Sequence, residues 1–370
     1  MRYRRVVAKF GTSLLTAGSD RLDLVAMSQL VGQVARLRAD GIEVVVVSSG
    51  ARAAGRHRLA RRLPEGFTPS RQAVASVGQS QLMQSWDELF DWHDIIVAQV
   101  LLTRRDLADR QGYLNARNAL RDLLEMGTVP VVNENDAVAM DQVLASRIGE
   151  NDSLAAFVAN LVEADLLAIL TDVEGFYDDD PRTNPAANLM SRIERVDVVV
   201  ENAAKGTGSF GGSGGMSTKL KAANIAAQSG IDVVVTNGHR PGSLLDAAAG
   251  KEPGTFFPAV SDRLESRKRW LLANISRTGH IVVDEGAVDA LRVRGRSLLP
   301  AGVTSVAGSF ARGDTIEVRD PAGSLTAAGT ANYDSAALAQ IRGLRSDRIA
   351  SVLGYAYGEE AIHRDNLVLL

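Results

Sequence analysis

The sequence predicts an α/β sandwich around a mainly parallel sheet, followed by a small β-rich domain. Three observations point there. Short apolar runs alternate with longer helical patterns over roughly the first 240 of 370 residues, and alternating β and α elements build a sheet covered on both faces. The apolar runs are continuous rather than alternating with polar residues, as suits strands buried on both sides. Each run then gives way to a small, polar or charged cluster. In such sheets ligands bind beyond the carboxyl ends of the strands.

The strands are "RVVAKF", "IEVVVVSS", "DIIVAQVLLT", "TVPVVNE", "DLLAILTD" and "IDVVVTNG". Helical patterns lie near 23–40, 71–91, 112–126, 152–163 and 217–229. The clusters after the strands are "KFGTS", "SSGARAAG", "LTRRD", "NENDAV", "TDVEGFYDDDPR" and "TNGHRPG", and "SSGARAAG" opens a further helix. Around residues 250–275 the texture changes. "KEPGTFFPAVSDRLESRKRW" holds two prolines and many charges and reads as a connector. Beyond it, "GHIVVDEGA", "VTSVAGSF", "GDTIEVRD" and "GSLTAAGTANY" are short strands parted by Gly and Asp turns, with a short helix at "SAALAQIRG". The domains so read are 1–255, a connector 256–275, and 276–370.

Composition narrows the function. Apolar residues make up 45%, enough for a buried core. A net charge of −3 gives no global case for nucleic acid or an anionic membrane. The chain has no cysteine, which excludes disulfides, thiolate zinc sites, Fe–S clusters and a cysteine nucleophile. The opening "MRYRRVVAKFG" has too short an apolar run for a signal peptide. No stretch approaches the ~20 apolar residues of a membrane span, so the expectation is a soluble, cytoplasmic protein. Only six of the 41 basic residues are lysines: Lys9, Lys205, Lys219, Lys221, Lys251 and Lys268. Arginine is therefore the default solvated cation. A lysine in a glycine-rich turn then carries information, because its compact ammonium is a point charge that a guanidinium does not mimic. Lys9 precedes "FGTS", and Lys219 lies in "GSFGGSGGMSTKLKAANIAAQSG".

That glycine-rich stretch runs into an alanine-rich helix. Glycine lets backbone N–H groups approach a ligand closely, and a helix N-terminus favours anions, phosphate above all. The stretch is not a Walker A loop, which needs Gly-Lys-Ser/Thr in succession; Lys219 here follows Thr218 and precedes Leu220. Two lysines, several glycine turns and acidic residues at Asp136, Asp152 and Asp172 suit a nucleoside triphosphate with Mg²⁺, an ion that binds through one or two carboxylates and substrate phosphates. Phosphoryl transfer is mainly positioning and charge neutralisation. Of the histidines (His57, His93, His239, His280, His363), only His239 falls in a strand-end cluster. A hydroxyl acceptor wants a general base, whereas a carboxylate is already ionised, so the pattern favours a carboxylate acceptor. "SSGA" and "NEND" with Asn151 offer it polar partners. Two decoys fall away. "HRDN" near the C-terminus lacks the spacing and the downstream DFG of a protein-kinase catalytic loop. "YDDDPRTNP" lacks the alternating ligands of a calcium loop and reads as a solvated loop beside the nucleotide.

"KFGTS", "SSGA", "VGQSQLM", "NARN", "NENDAV", "GENDSLAA", "TDVEGFY…DPRTNP" and "GGMSTKLKAA", in this order, resemble the amino acid kinase family, whose fold is a three-layer sandwich. "NENDAV" with "GENDSL", joined to "RKRW", "VDEGA", "SLLPAGV" and "LGYAYGEEAIHRD", is similar to the branch that phosphorylates glutamate and carries a C-terminal PUA domain. The resemblance implies transfer of the ATP γ-phosphoryl to the side-chain carboxylate of L-glutamate with Mg²⁺, at the start of proline synthesis. It also implies feedback inhibition by proline, homo-oligomerisation and a downstream γ-glutamyl phosphate reductase. Carried over by motif, Lys9 and Lys219 neutralise the moving phosphoryl group and Asp152 holds them. Ser49, Gly50, Asn133, Asp136 and Asn151 bind glutamate. Gly11, Thr171, Asp172 and the loop of Ser213, Gly214, Gly215, Met216, Ser217, Thr218 and Lys219 bind ATP. No direct metal ligand is assigned. Three residues depart from the family pattern: Ser213 for Thr, Glu150 for Asp, and Arg52 for an apolar residue.

A PUA domain suggests RNA, but from Arg277 onward the chain has 10 arginines and no lysine against 7 Asp and 4 Glu. Nucleic-acid modules carry a basic footprint, so a structural or regulatory role is expected instead. The rivals are a sister kinase acting on another carboxylate or a carbamate, and an RNA-binding protein acting through the C-terminal domain.

Overall fold

Strands rich in Val, Ile and Leu on both faces need helices covering the sheet on both sides. β1 (Arg5–Phe10), β2 (Glu43–Ser48), β4 (Val129–Glu134), β5 (Leu166–Thr171) and β6 (Asp232–Asn237) are buried almost throughout. A computed structural model describes residues 2–60, 62–64, 67–139, 151–206, 215–260 and 275–370. It orders these strands inside a seven-stranded sheet, β3-β4-β2-β1-β5-β6-β7. β3 (Val97–Leu102) forms one edge and β7 (Thr255–Phe257) the other. All pairs are parallel except β6 with β7. Residues 256–257, assigned by sequence to the connector, thus complete the sheet. Two phenylalanines in a proline-flanked run are bound by pairing with β6 across the register Val233 to Phe257, which no local pattern reveals.

The helices are α1 (Thr12–Leu15), α2 (Leu24–Ala39), α3 (Ala51–Leu59), α4 (Arg71–Asp91), α5 (Arg104–Ala108), α6 (Arg110–Glu125), α7 (Asn151–Leu161), α8 (Val198–Gly206), α9 (Met216–Gln228) and α10 (Ser243–Ala248). Polar caps set the starts of the long ones. Asp23 accepts from the N–H groups of Val25 and Ala26, and Ser70 from Ala73, each such cap contributing about 1 kcal/mol. On one face of the sheet Phe10 stacks on Trp86 with centroids 5.8 Å apart, and Trp86 tilts against Phe90. α7 and α9 bury alanines, Ala155 and Ala159 on the first and Ala222, Ala223 and Ala226 on the second. Such small side chains let two helices lie close together. α3 and α4 approach even more tightly: a Cβ on Gly78 would lie 1.8 Å from the Ala51 carbonyl oxygen, and one on Gly55 1.9 Å from that of Val74.

By compactness the chain divides into two units, Met1–Leu107 with Ala116–Asp262, and Ala108–Asn115 with Arg263–Leu370. The second unit has a five-stranded sheet, β12-β11-β10-β8-β9. Its strands are β8 (Ile275–Val283), β9 (Val303–Gly308), β10 (Thr315–Arg319), β11 (Leu325–Thr330) and β12 (Leu367–Leu369). It also holds α11 (Glu285–Arg292), α12 (Ser335–Ile341) and α13 (Ile349–Leu353), the first two capped by Asp284 and Asp334. β12, α11 and α13 lay beyond the sequence reading of short strands and one helix. Among its buried residues are Ile281, Val283, Ile316, Val318, Tyr333 and Leu338.

Candidate active site

In the first sheet β1 lies centrally, with β2 on one side and β5 on the other, and the chain crosses from β4 to β5 through α7. Such a reversal of strand order opens a crevice beyond the carboxyl ends of the strands. Two neighbouring residues on the first turn of α7, Asn151 and Asp152, face two different sets of partners there.

Asp152 is 1% exposed. Its Oδ1 lies 2.5 Å from Lys9 Nζ, at the end of β1, and its Oδ2 lies 3.5 Å from Lys219 Nζ, on the first turn of α9. The Thr218 hydroxyl, 3.0 Å from Oδ2, bonds to the same carboxylate. Burial pushes the Asp152 carboxyl upward, but the ammonium groups of Lys9 and Lys219, with the hydrogen bonds of Lys9 and Thr218, outweigh it and hold the group at about 2. It is therefore ionised throughout the neutral range. Both lysines are buried, whereas Lys221, two residues along α9, is exposed. Gly11 follows β1, and a Cβ there would stand 3.8 Å from Lys9 Nζ. At the end of β5 the Thr171 hydroxyl donates to Asp172 Oδ1 at 3.0 Å. Gly215 caps α9 with extended backbone, followed by Met216 and Ser217. Ser213, Gly214 and Glu150 lie outside the described residues.

Asn151 faces the ends of β2 and β4. Its Nδ2 donates to the Ser48 carbonyl at 2.7 Å, to Asn133 Oδ1 at 2.9 Å and to Ser49 Oγ at 3.1 Å. Gly50 then starts α3 in the left-handed region, φ 100°, which glycine enters without strain. A side chain here would also press on Leu15 and Leu22, 3.4 Å away. Asp136 stands half-buried in the turn after β4. Arg52 is half-buried on the first turn of α3. The "YDDDPR" segment is closed on itself: Arg182 donates through Nε and Nη2 to both oxygens of a buried Asp180. Asp178, Asp179, Pro181 and Arg182 remain exposed, so the loop is solvated as well as internally tied.

Sequence reasoning named both lysines but missed the groups behind the site. Trp86 Nε1 donates to Ser48 Oγ at 3.0 Å, and that hydroxyl donates to the Ser49 carbonyl. Gln79 Oε1 accepts from Asn133 Nδ2 at 2.8 Å. Gln79 and Trp86 are seven residues apart on α4, about two turns, and so share a face. The sequence showed "VGQSQLM" as a motif but held no sign of what its glutamine touches.

The sequence model of the amino acid kinase family matches residues 4–237. The chain belongs to the amino acid kinase family. The PUA domain matches residues 279–353, within the second unit. Among curated relatives, the glutamate 5-kinase of Herpetosiphon aurantiacus is 49% identical over 99% of this chain and 98% of its own. That of Shewanella oneidensis is 47% identical over 100% and 98%, and that of Dehalococcoides mccartyi strain 195 is 45% identical over 100% and 99%. This kinase thus spans nearly the whole length of each.

Proposed function

We propose that the chain transfers the γ-phosphoryl group of ATP to the side-chain carboxylate of L-glutamate, yielding γ-glutamyl phosphate and ADP, as the first step of proline synthesis. The observation that carries this reading is the pair on α7. Asp152 gathers two buried lysines, and its neighbour Asn151 gathers the polar ends of β2 and β4. One helical turn thereby couples a phosphate-binding half to an acceptor-binding half. The near-full-length relatives support the same substrate.

In this mechanism a glutamate carboxylate oxygen attacks the γ-phosphorus and the bond to the β-phosphate oxygen breaks, so the electron pair leaves with ADP. The attacking group carries no proton, and no general base is required. Lys9 and Lys219 bind the non-bridging oxygens of the phosphoryl group. A unit charge pair 4 Å apart gains about 4 kcal/mol at an effective dielectric of 20, so two lysines offset much of the repulsion between carboxylate and phosphate. Asp152 and Thr218 keep the ammonium groups aimed. Gly11, Thr171, Asp172 and the run Gly215–Lys219 line the nucleotide, and Ser49, Gly50, Asn133, Asp136 and Asn151 line glutamate. Among the described residues no group of three His, Asp or Glu side chains could hold a metal ion, and Asp152 is engaged by two lysines. Mg²⁺ would enter on the ATP phosphates.

Proline inhibition, homo-oligomerisation, hand-over to a γ-glutamyl phosphate reductase, a cytoplasmic location and a regulatory PUA domain belong to the same proposal. Among the described residues no helix is long and apolar enough to cross a membrane. The test is trapping of the acyl phosphate as a hydroxamate with ATP and glutamate, aspartate or N-acetylglutamate. Glutamate is expected to be the productive acceptor; faster turnover of either alternative would overturn the assignment.

A further inference from the structure

The amide groups around Asn151 form a chain whose polarity is set from the backbone. Asn133 Oδ1 accepts the N–H of Glu134 at 2.9 Å. A peptide N–H can only donate, so this bond fixes which end of the Asn133 amide is oxygen. Asn133 Nδ2 must then find an acceptor, and Gln79 Oε1 lies 2.8 Å away. Gln79 Nε2 in turn points to Gln99 Oε1 at 3.4 Å, on the exposed surface of β3. In the other direction, the Asn133 oxygen and the Ser48 carbonyl are both acceptors and both lie on Asn151 Nδ2. The Asn151 amide is thus held with its nitrogen inward, and its Oδ1 is the end left to a ligand. Ser49 Oγ also receives a bond from Asn151, which leaves the Ser49 hydroxyl to act as a donor.

We infer that Gln79 is a positioning residue: by accepting from Asn133 it satisfies the buried donor that the backbone-set polarity leaves over, and so steadies Asn133 and Asn151 in the arrangement by which the acceptor half of the site selects a substrate bearing an ammonium group. An oxygen at Asn151, with the carboxylate of Asp136 in the same half, suits an α-ammonium. A donor at Ser49 suits a carboxylate. Asn133 is 2% exposed, so water does not readily replace Gln79 as the partner of its N–H group. Without that acceptor the amide must either keep an unsatisfied donor or rotate and give up Glu134 N–H. Rotation turns Asn133 nitrogen toward Asn151 nitrogen, so Asn151 keeps the Ser48 carbonyl but loses the Asn133 oxygen, and its ligand-facing oxygen is held less firmly. The inference rests on the proposed glutamate kinase activity.

The test compares wild type with Gln79→Met, which keeps length and helix propensity but removes the acceptor, and Gln79→Glu, which keeps an acceptor while losing the donor to Gln99 and adding a negative charge. The readouts are KM for glutamate, KM for ATP, kcat, and the inhibition constant of glutarate, which is glutamate without its ammonium group. Gln79→Met is expected to raise the glutamate KM about 10-fold while the ATP KM and kcat stay within about 2-fold. The glutarate inhibition constant should stay level or fall, so that discrimination for the ammonium collapses. Gln79→Glu should keep the wild-type preference for glutamate over glutarate. Equal weakening of glutamate and glutarate would mean general loosening and overturn the inference. So would an unchanged glutamate KM in Gln79→Met, or an equal loss of discrimination in Gln79→Glu. A wild-type protein inert toward glutamate would instead overturn the functional assignment itself, and this inference with it.

Discussion

Replacing Asp152 by Asn removes one negative charge from between two buried ammonium groups while keeping the shape of the side chain. At an effective dielectric of 20, a unit pair at the 3.5 Å between Lys219 Nζ and Asp152 Oδ2 interacts by roughly 5 kcal/mol, and Lys9 stands closer at 2.5 Å. Desolvation opposes these gains, and removing one partner of a buried pair costs about 3–5 kcal/mol. The lower end of that range, about 3 kcal/mol, is the expectation for the nucleotide-free protein. At about 2–4 °C per kcal/mol for a domain of this size, the melting temperature should fall by roughly 6–12 °C. Two further signs follow. The phosphates of Mg·ATP supply the missing negative charge, so saturating nucleotide should restore more stability to Asp152→Asn than to wild type. Acid should also narrow the gap. The Asp152 carboxyl is lowered from 3.8 to about 2 in the folded state, so its contribution is fully present above 3.8 and is lost as pH falls toward 2. The asparagine variant lacks that slope. The assay is thermal denaturation at pH 7 and pH 3, with and without Mg·ATP, beside kcat by hydroxamate trapping, which should fall steeply. A variant that melts within about 2 °C of wild type at pH 7 without nucleotide, less than 1 kcal/mol on this scale, would show that the lysines do not depend on Asp152.

Lys9→Arg and Lys219→Arg should each lower kcat by on the order of 100-fold with the fold retained, because a longer forked cation misplaces the charge by about an ångström. Lys221→Arg, on the exposed side of α9, should be nearly silent in the same steady-state kinetics; a larger loss there than at Lys219 would reject the assigned role. Asp136→Ala should raise the glutamate KM far more than the ATP KM, and equal effects on both would place this residue in the wrong half of the site. Gly78→Ala drives a methyl to 1.8 Å from the Ala51 carbonyl oxygen and 2.4 Å from Gly55 N, so α3 and α4 must part. The expected result is a loss of about 1–3 kcal/mol in denaturant unfolding. Because α4 carries Gln79 and Trp86, the glutamate KM should rise with it; wild-type stability would refute the close helix contact.

Much of the architecture was legible because its causes are local. "RVVAKF", "DLLAILTD" and "IDVVVTNG" announce buried parallel strands through unbroken apolar runs, and the strand ends announce themselves through Gly, Ser and Asp. The scarcity of lysine in an arginine-rich chain drew attention to Lys9 and Lys219, and the family motifs to Asp152 and Asn151. What composition and spacing could not supply was partnership. Phe256 and Phe257 read as part of a connector because their strand-like property is pairing with β6, and pairing belongs to two segments at once. Gln79 stood only as a letter of the "VGQSQLM" motif because its meaning lies in an Asn133 amide on another element. Trp86, within the helical pattern 71–91, gave no local sign that its indole N–H holds Ser48. Side-chain identity and periodicity are properties of short stretches of chain. Hydrogen-bond polarity, the pairing of Asp152 with two lysines and the tight seat of Gly78 on Ala51 arise only when the register of the sheet and the crossing of helices bring distant residues within about 3 Å, and that distance is decided by the tertiary fold.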